Sequence, residues 1–573
     1  MQAVTTTEQA PAGATLVTVN EAIAADLKAM GVETVFGLMS DDSITLVIHL
    51  EAQGIRFIGT RHETQAVVAA EGYAWGTGKL AVALIGRGPA ATNAVTGTIH
   101  AGKTGSKVLV ILGEDPILDG VSNAMGPDLK NVGTHGAPSI YSIAGLRTFP
   151  VQTPDAARPL LAAAVAHAEL GRTATLHLPT TVQEAKIDVA GERPPVPTPP
   201  SAPPQRAAQV AVDAAVAMLE KSRRPLIIAG YGAYRAGARK ALEELAERTG
   251  AVLATTLRGI GLFEGNPYHL GVIGTFSTSA GRRLIDEADC AVVVGAGLNI
   301  LTMSFGASLR DIPMIQIDAK RESIGRWTTV QLSLIGDARA VTEQLLEAIP
   351  ARSADDKPFY TEETRRLLAQ FEHTLDFVDE TVPRGVDPRT LGLELDKLLP
   401  QDRTLVYDIG NFLGVVPYFR VASPDRLKIA HEFGSIGLGI GTALGVARAR
   451  PDIPTVFIVG DGGLLMTLGE LESVVREDLP LVIVVMNDRS YGAERHYLEL
   501  RGMPIAKSMF PEADFAGVAE ALGFETATIA SLADLTPLAE SLAKPEGPIL
   551  LDCLINPKIA APFMAEVAAL EGH

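Results

Sequence analysis

The chain has 573 residues, of which 47% are hydrophobic and 20% charged. This balance excludes an intrinsically disordered protein and supplies apolar side chains for large cores. A formal net charge of −18 argues against nucleic acid or an anionic membrane as the main partner, because phosphate binding needs a positive surface. Two cysteines provide neither a disulfide framework nor a zinc cluster, and no apolar run approaches the ~20 residues that span a bilayer. We therefore expect a soluble, cytoplasmic protein.

Two breaks divide the chain. Residues 191–205 read GERPPVPTPPSAPPQ, which favours extended polyproline structure over helix or strand. A weaker, polar break begins at residue 351. We predict a disordered tail at residues 1–14, without the features of a signal peptide, and linkers at 191–205 and 351–372. The predicted domains span residues 15–190, 206–350 and 373–573, and the central one is expected to be Rossmann-like.

Helices and strands alternate in each predicted domain. Thr18 and Glu21 form a capping box that starts a helix ending at Gly31. The other elements predicted in the first domain are strands at 34–38, 56–59, 81–85 and 108–112 and a helix at 63–75. In the third domain they are strands at 404–407, 455–459 and 481–486, a helix at 439–448 and a helix ending at 476. Continuous apolar strands separated by helices predict an α/β fold with three doubly wound parallel sheets.

The carboxyl ends of such strands are where ligands bind. The strand at 455–459 runs into a Gly-Asp-Gly-Gly turn at residues 460–463 and then a helix. Glycines let a diphosphate approach the backbone, and the helix start supplies N–H groups. Asp461 would hold a divalent cation, and Asp488 and the Ser490 carbonyl would complete its coordination if the next strand is a neighbour. For the tetrapeptide alone, a tight turn without any ligand is the alternative.

The spacing of these residues resembles the signature of thiamine diphosphate-dependent enzymes. Asp488 follows Asp461 by 27 positions and lies in an Asn-Asp pair that closes a strand. The resemblance covers nearly the whole chain. The other segments similar to family motifs are residues 61–63 (RHE) with 69–74, 88–93 (GPAATN) with 96–97, 434–437 (GSIG), 470–471 and 491–493 (YGA). In their amino-acid sequence, these motifs are most similar to those of the acetolactate synthase and benzaldehyde lyase branch of the family.

The resemblance implies that residues 15–190 form a pyrimidine-binding domain with the catalytic glutamate and that residues 373–573 form a diphosphate-binding domain. It also implies a role for each motif. Glu63 would be a general acid/base acting on the pyrimidine ring of the cofactor. Ile436 would lie under the bend between its two rings, and the Gly434 carbonyl would accept a hydrogen bond from its amino group. The residues expected to bind thiamine diphosphate are Asn93, Gly434, Ile436, Gly460, Asp461, Gly462, Gly463, Asp488, Tyr491 and Gly492, with Asp461, Asp488 and Ser490 as Mg²⁺ ligands. For Glu63 alone, a solvated acid at a helix N-terminus is the alternative.

The resemblance also bears on assembly and on the central domain. In the family, the glutamate and the diphosphate loop come from different chains, which implies at least a homodimer and leads us to expect a homotetramer. Glycines at 230–232 and 295–297 follow apolar strands of the central domain and could cradle a nucleotide, although such pairs are weak signals. FAD or ADP is possible there; we favour an empty domain, because the family's flavin-contacting motifs are not clearly present.

Several residues depart from the family pattern on the expected substrate side. Residues 38–42 read LMSDD where many relatives carry Pro-Gly or His-Gly. Arg87 stands where a small residue is usual, and Glu114 where relatives place Gln; with His135 they are our candidate catalytic residues. An Arg could clamp an anion, and a Glu could transfer protons. The alternatives are an ion pair for Arg87 and strand-end or loop hydrogen bonds for the other two. Glu494 and His496, which follow the expected metal loop, fit a pocket or, equally well, an exposed helix face.

These expectations combine into one function. We expect a thiamine diphosphate- and Mg²⁺-dependent carbon–carbon lyase or carboligase acting on 2-oxo acids or 2-hydroxy carbonyl compounds, with small molecules rather than nucleic acid or membrane as partners. Within the family, a 2-oxo acid decarboxylase, a flavin oxidase and a 2-hydroxyacyl-CoA lyase are alternatives. From another class, a catalytically silent cofactor-binding protein is the alternative, and the presence of both Glu63 and Asp461 argues against it.

Overall fold

Three parallel sheets of six strands each dominate the architecture. The structure is a computed structural model that describes residues 15–114, 137–190, 194–195, 203–351 and 357–571. Helices separate the strands along the chain in each third. The predicted fold class, three parallel-sheet α/β domains, is confirmed. The domain boundaries stay predictions, and part of the linker predicted at 191–205 and the tail at 1–14 lie outside the described residues.

The amino-terminal sheet has the strand order β3-β2-β4-β5-β7-β6, with β1 and β8 pairing antiparallel beside it. Its strands are β1 (Leu16–Thr18), β2 (Thr34–Gly37), β3 (Arg56–Gly59), β4 (Ala81–Ile85), β5 (Val108–Glu114), β6 (Arg147–Pro150), β7 (Ala174–Pro179) and β8 (Lys186–Asp188). Its helices are α1 (Val19–Ala29), α2 (Ile44–Ala52), α3 (Glu63–Thr77), α4 (Pro89–Asn93), α5 (Val95–Thr104), α6 (Ala137–Ile143), α7 (Ala157–Glu169) and α8 (Thr180–Glu184). The capping box predicted at the start of α1 is present, since Thr18 and Glu21 exchange both hydrogen bonds.

The central sheet has the order β11-β10-β9-β12-β13-β14. Its strands are β9 (Pro225–Ala229), β10 (Val252–Thr255), β11 (His269–Val272), β12 (Cys290–Val294), β13 (Met314–Asp318) and β14 (Leu332–Ile335). The helices are α9 (Gln209–Leu219), α10 (Tyr231–Arg235), α11 (Arg239–Thr249), α12 (Ser279–Asp286), α13 (Ala338–Ala348) and α14 (Glu362–Ala369). The last of these lies within the linker predicted at 351–372.

The two glycine turns of the central sheet pack against each other. A Cβ on Gly230 would lie 2.3 Å from the carbonyl oxygen of Gly295, and the Gly232 N–H donates to that same oxygen at 3.0 Å. Because β9 and β12 are adjacent, the turns that follow them meet backbone to backbone. This packing explains why residues 230, 232 and 295 are glycine; whether the central domain binds a nucleotide stays a prediction.

The carboxyl-terminal sheet has the order β16-β15-β17-β18-β20-β19. Its strands are β15 (Thr404–Tyr407), β16 (Leu427–Ile429), β17 (Thr455–Gly460), β18 (Leu481–Asn487), β19 (Glu525–Ile529) and β20 (Ile549–Leu554). Its helices are α15 (Pro388–Leu398), α16 (Gly439–Ala449), α17 (Asp461–Leu465), α18 (Glu470–Glu477), α19 (Gly492–Leu500), α20 (Phe515–Leu522), α21 (Ala539–Ala543) and α22 (Pro562–Glu571). Short 3-10 helices occur at Pro154–Ala156, Leu257–Gly259, Gly274–Phe276, Ser304–Gly306, Arg321–Ser323, His373–Leu375, Asn411–Tyr418, Pro424–Arg426 and Leu532–Leu538.

One hydrophobic core joins the amino- and carboxyl-terminal sheets. It includes residues of α3 and β4 on one side and of α16, β17 and β18 on the other. Glycines let α3 and α16 approach closely: a Cβ on Gly445 would lie 1.9 Å from the Ala69 carbonyl oxygen, and one on Gly72 would lie 2.2 Å from that of Thr442. This helix pair brings the ends of the two sheets together.

Candidate active site

The first part of the site lies at the carboxyl ends of β17 and β18. The two strands are parallel neighbours, with Gly460 opposite Met486, as the sequence analysis required. Asp461 is the first residue of α17, and Asp488 comes directly after β18. Adjacent parallel strands therefore deliver both predicted carboxylates to one edge of the sheet.

These two carboxylates are buried and electrostatically unsatisfied. Asp461 Oδ1 accepts the Gly462 N–H at 2.8 Å, whereas its Oδ2 is buried without a hydrogen-bond partner among the described residues. Asp488 Oδ1 accepts the N–H and the hydroxyl of Ser490 at 3.0 and 2.8 Å. Burial, and then the charge of Asp488, raise the pKa of Asp461 to about 8; burial raises the pKa of Asp488 to about 6.

This donor set fits a hard divalent cation. Two buried carboxylates, one with an unused oxygen, are costly in a low-dielectric site unless a cation neutralises them. Within the described ranges, no group of three or more His, Cys, Asp or Glu side chains could hold a metal ion, so carbonyl, phosphate or water oxygens would supply the other ligands. Arg489, between Asp488 and Ser490, takes a left-handed φ of 58°, the kind of strain that clusters at ligand sites.

Glycines around the carboxylates make room for other groups. A Cβ on Gly462 would lie 2.6 Å from the ring of Tyr491, and one on Gly492 would lie 2.4 Å from Asp488 Oδ2. The Tyr491 side chain is 38% exposed, so its ring forms part of the surface beside the turn. The close approach of a ring and a carboxylate explains why these two positions are glycine.

The Gly-Ser-Ile-Gly loop at residues 434–437 lies against the same turn. Its Gly434 has a φ of +77°, Ile436 is half-buried, and the Gly437 N–H donates to Asp408 Oδ2 at 2.8 Å. A Cβ on Gly463 would lie 3.2 Å from that same oxygen. Burial raises the pKa of Asp408 to about 6. Our sequence analysis missed Asp408, although its position directly after strand 404–407 is the signal that found Asp461 and Asp488.

Glu63 is the first residue of α3 and is only 8% exposed. The alternative of a solvated helix acid is therefore wrong. Asn93, at the end of α4, donates from Nδ2 to Glu63 Oε2 at 3.0 Å, so the family-like segment at residues 88–93 and the predicted glutamate are in contact. His62 caps the helix through its Nδ1, which accepts the Thr64 N–H at 3.1 Å.

Gln65, which the sequence analysis missed, brings the two parts of the site together. Its Nε2 donates to the Gly437 carbonyl at 2.8 Å, and its Oε1 accepts the Gly441 N–H at 3.1 Å. The Arg61 N–H also donates to Glu470 Oε1 at 2.7 Å. These contacts are made within one chain, whereas the family resemblance implied that the glutamate and the diphosphate loop belong to different chains. The oligomeric state itself stays a prediction.

The substrate-side candidates lie at the carboxyl ends of the amino-terminal strands. The Arg87 guanidinium pairs with Asp41 at 3.2 Å, so the ion pair named as the alternative for Arg87 is present. The backbone N–H of Arg87 donates to the buried Asp42 carboxylate at 2.9 Å. Glu114 ends β5 and contacts His177 Nδ1 at 2.7 Å. His135 lies outside the described residues.

Two more predicted positions lie on α19. Glu494 is exposed, which agrees with a solvated helix face. His496 is 4% exposed and pairs with Glu499 at 3.3 Å. Burial lowers the pKa of His496 from its ordinary value.

Models of known protein families match segments of the chain that include strands of all three sheets. Residues 17–133 match the thiamine pyrophosphate enzyme, N-terminal TPP binding domain; residues 212–345 match its central domain; and residues 408–553 match its C-terminal TPP binding domain. No helix within the described ranges combines the length and apolarity needed to cross a bilayer.

Similar curated proteins extend over nearly the full chain. A probable acetolactate synthase large subunit of Methanocaldococcus jannaschii is 28% identical over 95% of this chain and 93% of its own length. Acetolactate synthase isozyme 2 large subunit of Escherichia coli is 26% identical over 92% and 94%. A sulfoacetaldehyde acetyltransferase of Alcaligenes xylosoxydans xylosoxydans is 26% identical over 91% and 89%.

Proposed function

We propose that this chain, which belongs to the thiamine pyrophosphate enzyme family and is a thiamine diphosphate-dependent enzyme, breaks or forms a carbon–carbon bond next to a carbonyl group. The substrates would be 2-oxo acids or 2-hydroxy carbonyl compounds, and Mg²⁺ would bind with the cofactor. One observation carries the proposal: Gln65 bonds to both Gly437 and Gly441, which places the acid-bearing helix beside the loop of residues 434–437.

The residues present fit both groups. Asp461 and Asp488 would hold Mg²⁺ with the Ser490 carbonyl, and the cation would offset the two buried negative charges. The turn at residues 460–463 would receive the diphosphate, because its glycines leave the backbone N–H groups accessible at the start of a helix. Residues 434–437 would contact the pyrimidine ring. The cofactor, when bound, supplies a carbon nucleophile for the carbonyl carbon of the substrate.

The chain's own contribution is to hold protons and orient groups. Glu63 would hold a proton at the pyrimidine ring nitrogen, in a buried position where a charge-assisted hydrogen bond is strong. Asn93 fixes the Glu63 carboxyl group, so that Oε1 is left to act. The core that α3 shares with α16 excludes water from this region.

A binding experiment followed by a substrate panel tests the proposal. Titration calorimetry and circular dichroism with thiamine diphosphate, with and without Mg²⁺, should show cofactor binding that depends on the cation. Purified holoenzyme should then convert pyruvate or another 2-oxo acid or acyloin to products detected by mass spectrometry. Cofactor binding without turnover of any member of the panel would contradict the proposed chemistry.

A second candidate is an acetyltransferase activity on a small anionic aldehyde such as sulfoacetaldehyde. The relatives named sulfoacetaldehyde acetyltransferase are about as similar to this chain as those named acetolactate synthase, and Arg87, which is paired with Asp41, is the predicted candidate for contacting an anionic substrate. Sulfoacetaldehyde therefore belongs in the panel. Its conversion in place of 2-oxo acid ligation would favour this second function.

A further inference from the structure

A carboxylate–imidazole pair, with a buried imidazole and a partly buried carboxylate, lies at the carboxyl edge of the amino-terminal sheet. Glu114 is the last residue of β5, and His177 lies on the adjacent strand β7. Glu114 Oε1 is 2.7 Å from His177 Nδ1, with 14% of the Glu114 side chain exposed and 1% of the His177 side chain. The imidazole is thus enclosed, and the partly exposed Glu114 carboxyl group lies between it and the solvent on the expected substrate side.

The second ring nitrogen is also engaged. His177 Nε2 lies 2.9 Å from Thr175 Oγ1, and a hydroxyl both donates and accepts. A neutral ring that donates from Nδ1 to Glu114 can accept from Thr175, and a protonated ring can donate to both. The pair can therefore gain or lose one proton without leaving a buried nitrogen unpaired. A purely structural strand-end hydrogen bond needs no such arrangement.

The pair is linked to Glu63 through helix α4. The Tyr141 hydroxyl donates to the Ala91 carbonyl of α4 at 2.5 Å, and its ring meets His177 edge-on with centroids 5.9 Å apart. Asn93 of the same helix donates to Glu63. His177, through Tyr141, and Glu63 are therefore each connected to this one short helix, and Glu114, which pairs with His177, lies at the carboxyl edge of the sheet, where the substrate is expected.

We propose, building on the proposed function, that Glu114 is a second proton-transferring residue that acts directly on the substrate, and that His177 is the positioning residue that holds it. In ligation, the carbonyl oxygen of the acceptor gains the Glu114 proton as the carbon–carbon bond forms. In cleavage, the Glu114 carboxylate takes the hydroxyl proton as that bond breaks. In both directions the His177 N–H stabilises the ionised form of Glu114.

Other ionisable groups surround the pair. Tyr141 comes from α6, and Asp42 lies so close to β5 that a Cβ on Gly113 would be 1.6 Å from its Oδ2. Asp42 accepts the backbone N–H of Arg87, whose guanidinium pairs with Asp41. The charged groups among these neighbours, of both signs, are already paired with one another. A change in the pH–rate profile after substitution of Glu114 therefore reports the loss of the Glu114–His177 pair rather than a change in the surrounding electrostatic potential.

Turnover of pyruvate by the holoenzyme across pH 5 to 9 tests the proposal. Glu114→Gln keeps the shape but cannot transfer a proton, so we expect cofactor affinity within about threefold of wild type and a loss of turnover of about 100-fold or more. His177→Asn retains an N–H donor without a titrating ring, and should shift one limb of the pH–rate profile while losing about tenfold in rate. Glu169→Gln, at a surface ion pair with Lys107, is the matched control.

A titration that needs no turnover separates this proposal from the proposed function. In protein labelled with ¹⁵N-histidine, the ring signals of His177 are identified by their absence in His177→Asn. These signals should titrate at a different pH in Glu114→Gln than in the wild type. An unchanged His177 titration would overturn the pair even if pyruvate is not a substrate. If pyruvate is turned over, a Glu114→Gln rate within threefold of wild type with the same pH profile would overturn the catalytic role.

Discussion

Replacing Asp488 by Asn tests the electrostatics of the candidate metal site most directly. Each pKa unit is worth about 1.4 kcal/mol, and Asp461 has its pKa raised from 3.8 to about 8. A carboxyl group whose folded pKa is raised binds a proton more tightly than the unfolded chain does. The stability of the cation-free protein therefore falls as pH rises from about 4 towards about 8, by roughly 4 kcal/mol at pH 7.

Burial is the larger cause of this shift and the charge of Asp488 the second, so Asp488→Asn removes only part of it. Asn can still accept both Ser490 hydrogen bonds through its Oδ1. We expect the cation-free variant to gain about 1–2 kcal/mol at pH 8, which corresponds to roughly 2–8 °C in melting temperature if the carboxyl-terminal domain unfolds as a unit. We also expect about tenfold weaker Mg²⁺ affinity at saturating thiamine diphosphate, because one charged ligand is lost.

Differential scanning calorimetry between pH 5 and 8, with and without Mg²⁺ and cofactor, measures both effects. Asp552→Asn is the matched control: Asp552 is a buried carboxylate on neighbouring β20 that accepts from Asn487 Nδ2 at 2.8 Å. The control should change stability without changing the dependence on Mg²⁺. A cation-free Asp488→Asn protein that melts at or below wild type at pH 8, with unchanged Mg²⁺ affinity, would refute the reasoning.

Three further substitutions probe the junction of the two sheets. Glu63→Gln should bind cofactor normally in calorimetry but lose turnover by at least about 100-fold; near-normal rates would contradict the role proposed for Glu63. Gln65→Leu leaves two buried backbone groups unpaired, so the free energy of unfolding should fall by about 1–3 kcal/mol, which lowers the melting temperature, and cofactor affinity should fall as well. An unchanged melting temperature and affinity would show that the hydrogen bonds of Gln65 to Gly437 and Gly441 are dispensable. Gly445→Ala places a methyl group 1.9 Å from the Ala69 carbonyl oxygen and should separate the helices, seen as a large drop in soluble yield or melting temperature. Gly297→Ala, with nothing within 4 Å of the new methyl group, is its control and should melt close to wild type.

Local signals predicted the elements well. The strands predicted at 56–59, 81–85 and 404–407 coincide with β3, β4 and β15, because continuous apolar runs bounded by turn residues leave little choice of boundary. The helix predicted at 63–75 extends to Thr77 and ends at Gly78, whose φ is +70°. The strand predicted at 108–112 extends through Glu114, since a polar residue can end a strand as well as follow it.

Contacts between distant parts of the chain could not be predicted in this way. Gln65 and Gly437 are 372 positions apart, and nothing near Gln65 distinguishes it from a solvated helix residue. His177 lies in a strand that is buried on both faces, so alternation of polar and apolar residues does not reveal its environment. The metal site could be predicted because the carboxyl ends of adjacent strands meet by a general rule of the fold.

Helix α3 explains why these long-range contacts concentrate where they do. Its residues from Glu63 to Ala74 are all buried, and a helix without an exposed face must find partners for every polar side chain it carries. Glu71 receives the Lys428 ammonium at 2.5 Å and the Ser106 hydroxyl at 2.7 Å. Burial is the largest influence and alone would raise the pKa of Glu71, but the charges of Lys428 and His100 and the hydrogen bonds from Lys428 and Ser106 together hold that pKa below its ordinary value.

Two of these polar side chains, Gln65 and Glu71, thus have partners in the carboxyl-terminal part of the chain. Separating the helix from α16 and β16 would leave the Gln65 amide without partners and the Glu71 carboxylate without its cation, although with the Ser106 hydroxyl. Breaking a buried ion pair by removing one partner costs about 3–5 kcal/mol. A homodimer must therefore either keep these contacts within each chain or exchange them intact between chains. Either arrangement delivers Glu63 to the loop of residues 434–437, so the candidate site depends on the pairing of α3 with α16 and not on which chain supplies each helix.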